Sequence, residues 1–331
     1  MTRAAVLSAG SWGTVFAKVI ADAGGEAVLL SRSPTVVEAV NERRRNPRHL
    51  PGVALPARVR ATLDAAEALE GASLVVLAIP SQSLREALAG WAPEVGPSAI
   101  YVSLMKGIEA GTSKRMTEVI AEVTGAGPER IALVSGPNLA AEIGQEQPSA
   151  TVVASASHAA ALTVQGACHT SYLRPYTNHD VVGCELGGAV KNVIALAAGI
   201  VTGMGHGANA VASLITRGLA ETARLGVALG ADPLTFSGLA GLGDLVATCT
   251  SPLSRNRTFG EKLGRGMTLE QVTAEQFEVA EGVRSCRPLL YLARRHDVDM
   301  PIIEHVELVI YEGLPVADAF KSLMSRDPGP E

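Results

Sequence analysis

Short apolar runs recur along the first half of the chain, at residues 4–7, 27–30, 74–78, 100–102, 131–134 and 151–154. Their length and β-branched content predict buried strands. Between them, residues 12–23, 35–44, 82–91, 113–124 and 157–168 space their apolar positions as helices do. Strand and helix in alternation predict an α/β domain, a mostly parallel sheet covered by helices on both faces. From about Asp180 the strand pattern stops. Residues 181–200, 210–229, 282–296 and 302–311 are apolar-periodic over helical lengths, which predicts an all-helical second domain. The expected division is 1–180 for the sheet domain, 181–325 for the helical domain, and 326–331 (Arg326-Asp327-Pro328-Gly329-Pro330-Glu331) for a frayed tail.

Residues 192–216 carry no Asp, Glu, Lys or Arg and are long enough to span a bilayer. They also carry Asn192, Thr202, His206, Asn209, Ser213 and Thr216, with Gly199, Gly203, Gly205 and Gly207 among them. Those groups are costly in lipid, so a buried soluble segment is expected, not a membrane span. The glycines would allow close helix approach or a break between two helices.

Composition narrows the function. Of 331 residues, 47% are hydrophobic and 18% charged, which excludes a disordered chain. A net charge of −5 excludes general polyanion or nucleic-acid binding, so a bound phosphate needs a local pocket. Cys168, Cys184, Cys249 and Cys286 form no CxxC pair and read as free thiols of a reducing cytoplasm. No export signal follows Met1-Thr2-Arg3, and the seven histidines show no metal-ligand spacing, so no metal is expected.

Four segments carry candidate chemistry. Ser8-Ala9-Gly10-Ser11-Trp12-Gly13, between first strand and first helix, is a dinucleotide fingerprint with serine at the first glycine position. Gly10 would admit a pyrophosphate to the backbone, Gly13 would let helix and strand pack closely, and the helix N-terminus would supply amides. After the second strand, Leu30-Ser31-Arg32-Ser33 lacks the carboxylate that selects NAD, and Arg32 could pair with a 2′-phosphate. NADP(H), with NAD(H) alongside, is the expected cofactor, unless Arg32 is only a solvated loop charge. Ser103-Leu104-Met105-Lys106-Gly107 and Ser135-Gly136-Pro137-Asn138-Leu139-Ala140 each follow a strand, where ligands bind in open α/β sheets. Lys191 is the single basic residue on an otherwise buried helix, where desolvation would lower its pKa toward proton-transfer range. A buried ion pair with Glu185 or Asp244 is the competing reading, and the two overlap. Gly241-Leu242-Gly243-Asp244 sets one carboxylate in a glycine-rich turn, and Ser254-Arg255-Asn256 reads as an anion-binding helix start or simply a capped helix.

Together these segments resemble the NAD(P)-dependent glycerol-3-phosphate dehydrogenase family of the bacterial kind, from the Gly10 loop to about Glu312. The resemblance implies a Rossmann-like amino domain, a helical carboxyl domain, a homodimer, and interconversion of dihydroxyacetone phosphate and sn-glycerol 3-phosphate for glycerophospholipid synthesis. It assigns Lys191 as the catalytic proton donor and acceptor, oriented with substrate by Asp244 and Thr248. Lys106, Gly136 and Asn138 would contact substrate, with Asn138 where many members have Ser. Ser254, Arg255 and Asn256 would hold the phosphate. Cofactor contacts would come from Ser11, Trp12, Arg32, His49, Lys106, Ala140, Arg255, Val279 and Glu281. Ser8 departs from the family's glycine, a modest loss only if the turn keeps φ negative. Two other readings stay open: a reductase of the 6-phosphogluconate or ketopantoate type, and a nucleotide-sensing binding module.

Overall fold

A computed structural model of the chain describes residues 2–275 and 280–327. It divides into two compact units, one of residues 1–106 and 114–185, the other of residues 107–113 and 186–331.

The first unit is built on an eight-stranded sheet. Its strands are β1 (Arg3–Leu7), β2 (Glu26–Leu30), β3 (Val59–Thr62), β4 (Leu74–Leu77), β5 (Ile100–Ser103), β6 (Ile131–Ser135), β7 (Ser149–Ala154) and β8 (Leu173–Asn178). They lie in the order β3-β2-β1-β4-β5-β6-β7-β8. All pairs are parallel except β6 with β7. Alternate residues feed two cores. Ala4, Val6, Leu74 and Val76 face one; Ala5, Leu7, Val75 and Leu77 face the other. Burial on both faces explains why these strands read as continuous apolar runs. The strand order reverses at β1, whose carboxyl end is where a doubly wound sheet binds its ligand. Two strands escaped the sequence pattern. Both β3 and β8 are sheet edges, short or polar, and β8 contains Pro175.

The second unit is helical, and its spine is the helix Val181–Gly203. That helix is long and apolar enough to cross a membrane, with a mean hydropathy of 1.5, and its apolar window is entirely buried within protein. Every residue from 183 to 201 is buried. The burial comes from backbone-to-backbone packing. A Cβ built on Gly199 would lie 2.0 Å from the Arg257 carbonyl oxygen, and one on Gly203 2.2 Å from that of Glu261. The facing helix, Arg255–Gly264, answers with Gly260 and Gly264, equally hard against Leu196 and Ile200. Gly205, at φ +86°, then ends the spine, and Gly207 precedes the helix Ala208–Ala228. Close approach and chain break are therefore divided among the four glycines.

Candidate active site

In the first unit, the loop after β1 delivers the chain into the helix Ser11–Asp22. Gly13 must be glycine, because a Cβ there would sit 2.4 Å from the Ser8 carbonyl oxygen and 3.1 Å from Ala78 Cβ. Gly10 is the N-cap, with no side chain bonded to the first-turn amides and no acidic residue in that turn. A helix start of this kind suits a pyrophosphate.

Ser8 does not meet the condition under which its loss would be modest. Its φ is +149°, not negative, so the turn holds serine in backbone space that glycine alone enters freely. Its Oγ accepts from the Gly10 amide at 3.3 Å.

The segment carrying His49 is fastened to this loop. The Ser11 hydroxyl donates to the His49 carbonyl at 2.9 Å. The fully buried Asn46 donates to the Ala9 carbonyl and to Thr14 Oγ1, both at 2.8 Å, and accepts from the His49 amide at 3.3 Å. Asn46 was invisible in the sequence because nothing in a loop asparagine marks it as buried. Arg32 is exposed at the end of β2, with no ion pair among the described residues.

Lys106, beyond β5, donates to the Gly136 carbonyl at 2.8 Å, so two predicted substrate residues touch each other. Gly136 has φ +124°, which turns its peptide toward Lys106 at the end of β6. Nearby in sequence, Ser135 Oγ and both polar atoms of the Asn138 side chain are buried without a partner, as is Trp12 Nε1. Buried polar atoms left unpaired call for a ligand that supplies the missing bonds. With the bare helix start, they fit a nicotinamide dinucleotide held by Gly10, Ser11, Trp12 and Gly13. Ala140 opens the short helix Ala140–Gly144, two residues after Asn138.

In the second unit, Lys191 lies on the buried spine with only 10% of its side chain accessible. Its Nζ donates to Asp244 Oδ1 at 2.6 Å and to Thr248 Oγ1 at 2.7 Å, and Thr248 in turn donates to Asp244 at 3.2 Å. An ammonium carries three hydrogens, so one remains for a ligand. The ion-pair partner is thus Asp244. Glu185 instead takes Arg115 at 2.8 Å and the amide and hydroxyl of Thr117, while burial pushes its carboxyl up from the usual range. Asp244 reaches Lys191 through a π-helical turn, Leu239–Gly243. That turn can approach because a Cβ on Gly187 would lie 2.3 Å from the Ala240 carbonyl oxygen.

Ser254 caps the helix Arg255–Gly264, accepting from the Arg257 amide at 3.2 Å, and Arg255 is exposed in its first turn. Asn256 is buried and largely engaged. It donates to Asn192 Oδ1 and accepts from the Gly282 amide, both at 2.9 Å. It therefore ties the lysine's helix to the start of Glu281–Arg295, where Glu281 sits. Asn192 and Gly282 were not singled out in the sequence; the adjacency of Asn192 to Lys191 was the available signal. Val279 lies outside the described residues. The four cysteines are buried and free, and burial pushes Cys168 and Cys249 up to about 12.

A dinucleotide-binding sheet unit joined in sequence to a helical unit with a buried, carboxylate-held lysine defines a nicotinamide-dependent dehydrogenase. Residues 3–161 match the family model of the NAD-dependent glycerol-3-phosphate dehydrogenase N-terminus, and residues 180–321 match that of its C-terminus. A glycerol-3-phosphate dehydrogenase (NAD(P)+) of Frankia casuarinae is 70% identical over 331 residues, spanning 100% of this chain and 98% of the relative. One from Streptomyces griseus is 62% identical over 329 residues, spanning 99% and 98%. The crystal structure of glycerol-3-phosphate dehydrogenase from Coxiella burnetii superposes with a TM-score of 0.93 at 35% identity, covering 98% of this chain and 99% of that one. The chain belongs to the NAD-dependent glycerol-3-phosphate dehydrogenase family.

Proposed function

We propose that this chain interconverts dihydroxyacetone phosphate and sn-glycerol 3-phosphate with NAD(P)H, as a cytoplasmic homodimer feeding glycerophospholipid synthesis. The observation that carries the reading is Lys191, the one basic residue of a buried helix, held by Asp244 and Thr248 with one N–H to spare. The bound dinucleotide supplies and takes back the hydride. The chain does the rest. As charge builds on the reacting carbonyl oxygen, Lys191 stabilises it and delivers a proton. Asp244 keeps the ammonium fixed, so no reorganisation is needed when the charge appears. Ser254, Arg255 and the remaining amide hydrogen of Asn256 hold the phosphate, which fixes the carbonyl for attack and lowers the entropic part of the barrier. Lys106, Gly136 and Asn138 complete the contacts to substrate. Four buried free thiols support a reducing location.

The test is an optical assay of NADPH and NADH oxidation with dihydroxyacetone phosphate, ketopantoate and 6-phosphogluconate. Turnover confined to dihydroxyacetone phosphate, lost in Lys191→Ala with dinucleotide binding intact, is expected. Preference for either other substrate, or cofactor binding without turnover of any, overturns the reading. Light scattering on the same preparation checks the dimer.

A further inference from the structure

Four side chains of the sheet unit meet in an ionic cluster that the proposed reaction leaves unused. Lys18, on the helix Ser11–Asp22, is 5% exposed. Its Nζ donates to Asp22 Oδ2 at 2.6 Å, to Glu146 Oε1 at 2.8 Å and to the Tyr172 hydroxyl at 3.4 Å. Those three bonds account for every hydrogen of the ammonium. The Tyr172 hydroxyl in turn donates to Asp22 Oδ2 at 2.6 Å.

Asp22 lies four residues along the same helix and supplies a local counter-ion. Glu146 is the group that reaches across from another element. It follows the helix Ala140–Gly144, and its backbone is held at φ +60°, the left-handed region that favours glycine. Such strain persists only where the surroundings over-determine it. The Glu146 side chain is 60% exposed, and its bond to Lys18 is the only one it makes among the described residues.

What this bond fixes is the register of a short helix. Apolar contact already seats it: a Cβ on Gly144 would lie 2.8 Å from Val53 Cγ2 and 3.4 Å from Leu50 Cδ2 and Val15 Cγ2. Apolar contact has no direction, whereas a charged hydrogen bond has both length and direction. At five residues the helix is about 7.5 Å long, so a slide or tilt at Glu146 reaches Ala140 almost undiminished. Ala140 follows the turn Gly136–Leu139, whose Gly136 carbonyl takes Lys106. That turn leaves β6, in the half of a doubly wound sheet that receives the nicotinamide end, while the helix carrying Lys18 starts at the pyrophosphate.

We propose that Lys18 and Glu146 are positioning residues for the cofactor, whose ion pair sets the turn Gly136–Leu139 in register with the helix start that takes the pyrophosphate. They act through the backbone they hold. The inference rests on the reading of this unit as the dinucleotide-binding one, and it does not depend on the assignment of substrate.

The experiment is calorimetric titration of the full chain with two ligands: NADP+, and 2′-phospho-ADP-ribose, which has every part of it except the nicotinamide ring. Glu146→Gly removes the carboxylate and leaves a residue that enters this backbone region freely, so Tm should stay within about 3 °C of the parent. NADP+ binding should weaken about fivefold, while binding of the ringless probe changes by less than about twofold. In the dihydroxyacetone phosphate assay kcat should fall about tenfold. Lys18→Met keeps the apolar stem and leaves Tyr172 on Asp22, and it should repeat the pattern. The double variant should be no worse than the worse single, because the two residues act as one unit. Equal weakening of both ligands would make the pair a plain brace and overturn the proposal. Unchanged NADP+ binding, or losses that add in the double variant, would overturn it too. The titrations need no substrate, so a chain that fails to reduce dihydroxyacetone phosphate overturns the proposed reaction, while the ratio of the two affinities still decides this inference.

Discussion

Replacing Ser8 by glycine relieves the backbone that Ser8 now strains. With φ at +149°, serine occupies a region essentially reserved for glycine, and holding it there costs roughly 1–3 kcal/mol. Glycine's greater freedom in the unfolded chain offsets roughly 0.5–1 kcal/mol of that gain. The Ser8 Oγ bond to the Gly10 amide, long at 3.3 Å, forfeits about 0.5 kcal/mol more. The balance is about 1 kcal/mol in favour of Ser8→Gly, which for a unit of this size raises Tm by roughly 2–4 °C. The same change releases the Gly10 amide, at the N-cap where a pyrophosphate would lie, so dinucleotide binding should tighten about threefold to tenfold. Differential scanning fluorimetry without cofactor reads the first effect, and calorimetric titration with NADPH reads the second. Substrate affinity should not move. A lower Tm together with weaker dinucleotide binding would refute the reasoning and show a turn adapted to serine.

Other perturbations probe the remaining parts. Asn46→Asp turns two donors into an acceptor facing the Ala9 carbonyl and Thr14, so the KM for dinucleotide should rise about tenfold with kcat little changed; an unmoved KM refutes the clamp. Gly187→Ala drives a methyl to within 2.3 Å of the Ala240 carbonyl and displaces Asp244, so kcat should fall at least about tenfold while dinucleotide affinity holds. Arg32→Ala should raise the KM for NADPH far more than for NADH, and equal effects would remove Arg32 from 2′-phosphate recognition. Buried Glu221 titrates at about 7 in the folded chain and near 4.3 when unfolded, so the native state holds the extra proton between those values. Its contribution, on the order of 3–4 kcal/mol, is present below about pH 4 and is lost progressively as pH rises from there through 7. Gln at that position does not titrate, so the Tm of Glu221→Gln relative to the parent should climb between pH 5 and pH 8; a constant difference would contradict the raised pKa.

The central strands were legible because both faces of each are buried, leaving uninterrupted runs such as Leu74–Leu77. Edges β3 and β8 were not, since an edge strand tolerates Arg60, Pro175 and Asn178 and looks like loop. At the site, residue type and spacing pointed to Lys191 and to the Ser254 cap. Which carboxylate meets Lys191 depended on Gly187 and the turn it admits, and a contact between segments 53 residues apart leaves no local pattern. Asn46, Asn192 and Gly282 act through backbone partners distant in sequence, which periodicity does not register. For Ser8, identity alone left open the sign of φ, which decides whether serine is strained.

The glycine contacts between Val181–Gly203 and Arg255–Gly264 make the helical unit a ruler. The lysine stands on one of these helices, and the proposed phosphate clamp begins the other. Because main chain meets main chain at Gly199, Gly203, Gly260 and Gly264, no side chain can repack to lengthen or shorten the interval between them. Substrates would then be sorted by the number of atoms between phosphate and carbonyl. A ketose phosphate one carbon longer would meet the proton donor out of reach, however well its phosphate were bound. Evolving this scaffold toward longer substrates would require moving a helix.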